Sequence, residues 1–531
     1  MRDVIVSNGV VVAADPMAAC AGAEVMRGGG NAVDAVVAAL LAECVCQPHN
    51  VGLGGYAGTM ILHSSSHDRV FAIDFDSVAP AAAAPGMFPT EACTHNWDIA
   101  GDGVSTIPGI NEYGCLCVTA PPIVAGLALA LERFGVLSFG DVALPAERLA
   151  RDGFRVDSRL ADALALYAAY ADPESARTLL PGGVPPRAGE LLVQKDLAAL
   201  IAGLRRQGPG AFYSGEIPRR IVERIRRGRG ILEEPDFGAV APRIEEPVAL
   251  RCGEYEVFTP GPPAGGITAL QILNVVRNAD LVPTDLATPK HYRLLIEAAR
   301  HAWAERFEYL GDPLVVDVPI DEMLSDRRAR ETLARIESGV SPVGTAVGAS
   351  GSEHTVHLVA VDRDRNMVSL TATHGSWFGS MVGIEGLGIV LGHGMSRFDP
   401  IPGRPNSIAP GKRVQHNMSP IVILRNGKPY CAIGLPGGRM IVNASALLAH
   451  ALTTFGLSCG EAMSLPRFHV DGSGPAVVDS EELACKMAGI GCPVGFRDQR
   501  VGGPVAGALV ARETGLLMAA SEAGHACVAA V

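Results

Sequence analysis

Thr355 is the residue in this chain best placed to do chemistry. A hydroxyl is a weak nucleophile at neutral pH and needs a base beside it. A free α-amine titrates at about 7.7–8.0, so much of it is neutral near pH 7–8. A threonine at the start of a chain carries both groups on adjacent carbons and supplies nucleophile and base together. Thr355 is internal, so this chemistry requires a cut between His354 and Thr355. The neighbourhood suits one. Residues 351–354 (Gly, Ser, Glu, His) are polar and loop-like, and Ser338 to Ser352 is Gly/Ser/Val-rich and largely uncharged, which predicts a mobile linker open to processing. Val356 to Asp362 is an apolar, β-branched run that predicts a buried strand; Asp362 to Arg365 predicts a turn, and Met367 to Thr373 a second strand. The pattern by itself also fits a threonine that does no more than open a hairpin strand, the commoner meaning of such a residue.

The elements that must position this hairpin are legible in outline. Val4 to Ala13 predicts a first strand and Asp15 to Met26 a helix, with Met17, Ala21 and Val25 on one face. Asn31 caps a second helix reaching Cys46, with Asp34 in its first turn. Thr59 to Leu62 and Val70 to Phe75 predict paired strands, Leu160 to Arg227 is helical in tone, and His291 to Pro313 carries an amphipathic helix. A loop is expected from Gly375 to Arg413. Asn426-Gly427 between two apolar runs signals a hairpin, and Leu435-Pro-Gly-Gly438 opens a helix running to about Phe455. A last hairpin joins Val505 to Ala511 with Leu516 to Ala520. Hairpins with helices folded over them indicate a packed pair of sheets with helices outside.

Composition bounds the function classes. The chain has 531 residues, 48% hydrophobic and 19% charged, which is globular and long enough for more than one core. A net charge of −12 argues against a nucleic-acid partner. No basic, apolar leader opens the sequence, and the best apolar stretch, Ala32 to Cys46, is interrupted by Asp34 and Glu43; a cytoplasmic protein without a membrane span is expected. The 12 cysteines form no C-x-x-C pair and are expected as reduced, packed side chains. No paired-ligand spacing is present, so neither a catalytic metal nor a cofactor is expected. Gly52-Leu-Gly-Gly55 lacks the spacing of a dinucleotide or phosphate cradle.

Thr355-Val-His-Leu-Val-Ala-Val-Asp362 resembles the T-T-H-x-x-V-V-D that opens the small subunit of the γ-glutamyltransferase family, and Met418-Ser-Pro420 and Leu435-Pro-Gly-Gly438 follow at that family's spacing. Upstream, the run from Arg27 to Gly55 resembles the family's RGGNAVDAAVA…EPHSSGIGGG, and Gly210 to Gly215 and Tyr255 to Ile267 match further family segments. The resemblance spans nearly the whole chain. It implies the four-layer αββα sandwich of N-terminal-nucleophile hydrolases. It also implies self-cleavage into a large part, 1–354, and a small part, 355–531, that stay associated; a homo-oligomer is left open. By the same resemblance Thr355 attacks an amide, Thr373 hydrogen-bonds the nucleophile, and the Gly437 and Gly438 N–H groups hold the oxyanion, at a helix start where donors are unpaired. His357 occupies a family position but is expected to be structural.

The acyl pocket departs from the family pattern. Asp76 stands where D-F-R-E-x-A-P carries its arginine, and Arg397 where N-N-Q-M-D-D-F carries its acid. Gly375 replaces the asparagine of T-x-N, and His416-Asn417 replaces a serine pair. An acid exchanged for arginine reverses the charge offered to a ligand ammonium, so a γ-glutamyl zwitterion is a poor fit. Arg397 instead suits a carboxylate on the acyl side, with His416, Asn417, Gly375 and Asp76 lining the same region. The pattern looks more like the oxamate-amidohydrolase and cephalosporin-acylase-like branch, acting on a small-molecule amide. Two alternatives stay open: a glutathione hydrolase acting in glutathione metabolism, and an uncleaved relative retained as a binding protein.

Overall fold

A computed structural model describes residues 3–92, 104–106, 109–342, 354–472, 474–511, 514–522 and 527–531. The expected linker therefore lies mostly outside the described residues. Two seven-stranded antiparallel sheets form the centre. The first runs, in spatial order, Cys527–Ala530, Val10–Ala13, His354–Val361, Met367–Gly375, Ala57–Ser64, Arg69–Asp76, Arg243–Glu245. The second runs Val4–Val6, Leu517–Ser521, Ala506–Val510, Lys428–Gly434, Ile421–Arg425, Tyr255–Thr259, Val248–Cys252.

Side-chain alternation divides the core into layers. On His354–Val361, Val359 and Val361 face the second sheet and meet Val422, Ala432 and Ala508. Val356, Leu358 and Ala360 face the other way, onto the helices Pro16–Arg27 and Ala32–Cys46. Helices Gly266–Arg277, Pro289–Tyr309 and Met440–Thr454 cover the outside of the second sheet. Helix, sheet, sheet, helix is the αββα sandwich expected.

The single strand expected over Val4 to Ala13 is two strands, one in each sheet. The chain bends at Ser7-Asn8, and Gly9 passes under the first helix where a Cβ would lie 2.6 Å from Met26 Sδ. The expected loop from Gly375 to Arg413 also holds a short strand pair, Gly383–Ile384 with Ile389–Val390, and a helical turn at Gly394–Arg397.

The helix Ala32–Cys46 is buried along its whole length, including Asp34 and Glu43. Its start is fixed by a reciprocal box: Asn31 Oδ1 accepts from the Asp34 N–H, and Asp34 Oδ2 accepts from the Asn31 N–H. Asp34 also accepts from Val136 and Leu137 N–H. The Ala32 N–H donates to Asp362 at 2.9 Å, so the acid that follows the strand His354–Val361 also ties it to this helix. Among the described residues no single helix is long and apolar enough to cross a membrane. The described cysteines form no disulfide; Cys431 and Cys459 Sγ lie 3.8 Å apart in the core.

Candidate active site

Thr355 sits at the second residue of its strand with its side chain on the inter-sheet side, buried. The pairing of His354–Val361 with Met367–Gly375 shifts register here: Val356 is opposite Ala372, whereas His354 is opposite Gly375. Thr373 and His374 together thus face the single residue Thr355, a bulge of the kind that re-aims side chains beside active sites. The Thr355 hydroxyl donates to Thr373 Oγ1 at 3.2 Å. Thr373 Oγ1 in turn donates to the His354 carbonyl oxygen at 2.7 Å and accepts from the Gly375 N–H at 2.8 Å. The hydroxyl of Thr373 therefore bridges the expected nucleophile and the carbonyl of the peptide bond that precedes it.

A cavity with about 240 Å³ of empty space, its solvent-open mouth included, lies beside Thr355. Thr355, Thr373, Gly375, Arg397, His416, Asn417 and Gly438 all line it, joined by Tyr56, Met418 and Ile441. Sequence reasoning missed Tyr56 and Ile441 as wall residues; neither type signals a binding role, and only their neighbourhood to Gly55 and Gly438 could have pointed to them. Asp76 and Gly437 do not line the cavity. Asp76 lies behind His416, and Gly437 one residue back from the wall.

Arg397 is 6% exposed, which excludes a solvated loop arginine. Its guanidinium lies over the Tyr56 ring, 5.5 Å from the centroid. Its Nη2 donates to His393 Nε2 at 3.0 Å, and the same nitrogen accepts from the Ser376 N–H at 3.1 Å. Nε2 of His393 is therefore the unprotonated nitrogen, and Nδ1–H donates to the Glu112 carbonyl oxygen at 3.2 Å. Burial, and then the adjacent Arg397 charge, hold this imidazole well below the usual histidine range. Gly375 has φ +105, and a Cβ there would lie 1.8 Å from His393 Nε2, so the close approach of this loop to the His393–Arg397 pair requires glycine.

His416 and Asp76 form a buried pair, with Nε2 to Oδ2 at 2.9 Å. Burial pushes the Asp76 carboxyl well above the usual carboxylate range, and neighbouring Asp74 adds to this. Burial pushes the His416 imidazole down to about 3, reinforced by the charges of Arg306, Arg413 and Arg397. Both shifts favour the neutral forms, in which the Asp76 carboxyl donates to His416 Nε2 and His416 Nδ1–H is left as a donor; Nδ1 has no hydrogen-bond partner among the described residues. Behind Asp76, Arg413 is held by Asp74, by Glu245 at 2.9 Å and by Asp312 at 3.0 Å. Asn417 is oriented by Arg306, whose Nη2 donates to Oδ1 at 3.0 Å; the Asn417 amide donors are left for the cavity.

Gly437 and Gly438 precede the helix Met440–Thr454 with φ values of +128 and +57. Neither N–H has a hydrogen-bond partner among the described residues, while their carbonyls accept from Met440 and Ile441. Two free N–H groups at the start of a 15-residue helix are suited to a developing negative charge. His357, expected to be structural, lies between the sheets, with Nδ1 2.8 Å from Thr371 Oγ1 and its pKa pushed down to about 3 by burial. Among the described residues no group of three His, Cys, Asp or Glu could hold a metal ion.

Comparison with known proteins fits this geometry. The family model for Gamma-glutamyltranspeptidase matches residues 18–491. The Acylase ACY 1 proenzyme of Pseudomonas sp. (strain SE83) is 35% identical over 482 residues, covering 90% of this chain and 84% of the relative. The Glutathione hydrolase proenzyme of Escherichia coli (strain K12) is 32% identical over 481 residues, covering 87% and 81%. Cephalosporin acylase from Bacillus halodurans shares the fold with a TM-score of 0.87 at 24% identity, over 100% of this chain and 97% of that one. The matched relatives are hydrolases and acylases described as proenzymes, which implies processing into subunits. In sequence and in fold, the chain is a member of the gamma-glutamyltranspeptidase family.

Proposed function

We propose that the chain is a self-processing amidohydrolase that cuts itself between His354 and Thr355 and then hydrolyses a small amide whose acyl part carries a carboxylate. The observation that carries this reading is the Thr355–Thr373–His354 carbonyl arrangement at the wall of a cavity containing a buried arginine. In the processing step the Thr355 Oγ–C(His354) bond forms and the His354–Thr355 C–N bond breaks. The proton lost from Oγ is, in net terms, taken up by the departing nitrogen. Water then hydrolyses the ester, leaving a His354 carboxylate and a free Thr355 amine and hydroxyl. The large part is 1–354 and the small part 355–531.

In turnover, the Thr355 amine takes the hydroxyl proton as Oγ attacks the substrate carbonyl, and returns it to the leaving amine. The Gly437 and Gly438 N–H groups face the oxyanion, and water completes the cycle. Arg397, His416 Nδ1–H and the Asn417 amide place donors on or beside the cavity wall. Such a set suits an anionic acyl terminus better than an ammonium. The Acylase ACY 1 relative supports this reading, and the Glutathione hydrolase relative supports glutathione hydrolysis as the rival.

Intact mass spectrometry of the purified chain, with Thr355→Ala as control, tests the nucleophile: a fragment beginning at Thr355 is expected in the wild type alone. A panel of short dicarboxylic monoamides run against γ-glutamyl-p-nitroanilide tests the pocket. Turnover confined to the γ-glutamyl compound would overturn the carboxylate reading.

A further inference from the structure

The residue on the other side of the expected cut is held as firmly as the nucleophile. His354 lies buried with its imidazole stacked on the Trp377 indole, ring centroids 4.6 Å apart at an interplanar angle of 26°. Trp377 belongs to the loop that follows the nucleophile hairpin, and that loop is pinned at both ends. The His374 N–H donates to the Asn50 carbonyl at 3.0 Å, and the Phe378 N–H to the His49 carbonyl at 2.9 Å. Behind the indole, the His49 ring meets it edge-on at 5.8 Å. His49 is fully buried, and neither of its ring nitrogens has a hydrogen-bond partner among the described residues, so it acts here as a packing group. The indole is therefore a fixed platform.

His354 is thus held at two points. Its ring rests on Trp377, and its carbonyl oxygen accepts from Thr373. Two attachments on one residue fix the plane of the peptide bond that joins it to Thr355. Attack by a hydroxyl on the carbonyl of the residue just before it closes a small ring, and the rate depends steeply on that plane. A polar residue ahead of a nucleophile carries no requirement to be aromatic or to be buried; here it is both.

We propose that Trp377, buttressed by His49, is a positioning residue for self-cleavage: it clamps His354 by ring stacking and so presents the His354 carbonyl to the Thr355 hydroxyl. The inference rests on the proposed cut at Thr355 and adds to it the element that sets its rate. Both rings are needed only until the bond breaks. The clamp works with a neutral imidazole, and the groups facing it are Arg159, Trp377 and His49.

The test is a time course of cleavage of the full chain, made by cell-free synthesis and followed by denaturing gel and intact mass. His354→Ala and Trp377→Ala are expected to slow cleavage roughly ten-fold or more. His354→Phe and Trp377→Phe, which keep a ring on each side, are expected to remain within about three-fold of wild type. Melting of each variant in a Thr355→Ala background separates clamping from general destabilisation. If Trp377→Ala does not fold, the His354→Ala and His354→Phe pair decides alone. Wild-type cleavage at Thr355 with equally fast cleavage of both alanine variants would overturn the clamp and leave the nucleophile intact. A wild-type chain with no fragment starting at Thr355 would overturn both.

Discussion

The hydroxyl of Thr373 donates to the carbonyl oxygen of His354 while it accepts from the hydroxyl of Thr355. One side chain therefore touches both the electrophile and the nucleophile of the proposed processing step. Removing a preorganised donor of this kind costs a factor of about 10²–10³ in rate. Thr373→Ala should slow the appearance of the Thr355 fragment by that order, and Thr373→Ser, which keeps the hydroxyl, should restore most of it. Gel densitometry against time reads both.

Arg397 is buried on the cavity wall, with its guanidinium against His393 and the Tyr56 ring. Replacing it with Gln in the processed enzyme should lower kcat/KM for a carboxylated amide by roughly 10–100-fold, the worth of a charge-assisted hydrogen bond. The same change should leave an uncharged amide of equal size within about three-fold. Equal losses on the two substrates would show that Arg397 shapes the cavity without reading charge.

The protonation of the Asp76–His416 pair can be read by substitution. A protonated Asp76 donates to His416 Nε2, and an asparagine amide can do the same. Asp76→Asn should therefore stay within about three-fold of wild type in kcat/KM, whereas Asp76→Ala, which orphans the imidazole, should lose at least about ten-fold. A loss in Asp76→Asn as large as in Asp76→Ala would mean that the aspartate works as an anion.

Gly437 has φ +128, and a Cβ there would lie 2.6 Å from the Gly503 nitrogen. Gly437→Ala must displace the turn that aims the two free N–H groups, so kcat should fall about 10²–10³-fold with KM little changed. A change in KM alone would remove this turn from the oxyanion site.

Acid should destabilise the fold. Burial lowers the histidine pKa to about 4 at His291 and to about 3 at His354, His357, His374, His416 and His450. A folded-state pKa below the unfolded value means that the unfolded chain binds the proton first. Stability is therefore full above about 6.5 and falls as pH drops toward the folded values, by roughly 1.4 kcal/mol per pH unit for each such histidine. Asp15, Asp34, Glu43, Asp76 and Glu245, raised by burial, work in the opposite sense but are fewer than these six histidines. Melting of the Thr355→Ala chain should show Tm falling from pH 7 to pH 5, with a shallower slope in a His450→Leu variant. A Tm that rises toward pH 5 would overturn this.

The nucleophile hairpin, the capped helix after Asn31 and the glycine turn before Met440 were legible because each is specified by short spacings: a β-branched run, an Asx cap with an acid three residues on, two glycines at a helix start. The same holds for seven wall residues of the cavity, which the family motifs identify by position. What the chain did not disclose depends on contacts between distant segments. The run from Val4 to Ala13 looks continuous until both sheets exist to divide it. Asp76 reads as a wall residue, yet its side chain turns away onto His416. The His354–Trp377 stack joins two residues of ordinary loop composition, whose rings meet only once the hairpin and the loop after it are folded.

Both sheets alternate between segments from either side of residue 354. Strands from before it adjoin strands from after it at five junctions: Val10–Ala13 on both of its flanks, Ala57–Ser64 beside Met367–Gly375, Val4–Val6 beside Leu517–Ser521, and Tyr255–Thr259 beside Ile421–Arg425. The two lengths of polypeptide are woven through each other, and pulling them apart would tear ladders in both sheets at once. The five ladders join the two lengths independently of the peptide bond at residue 354, so the proposed cut would leave them held together.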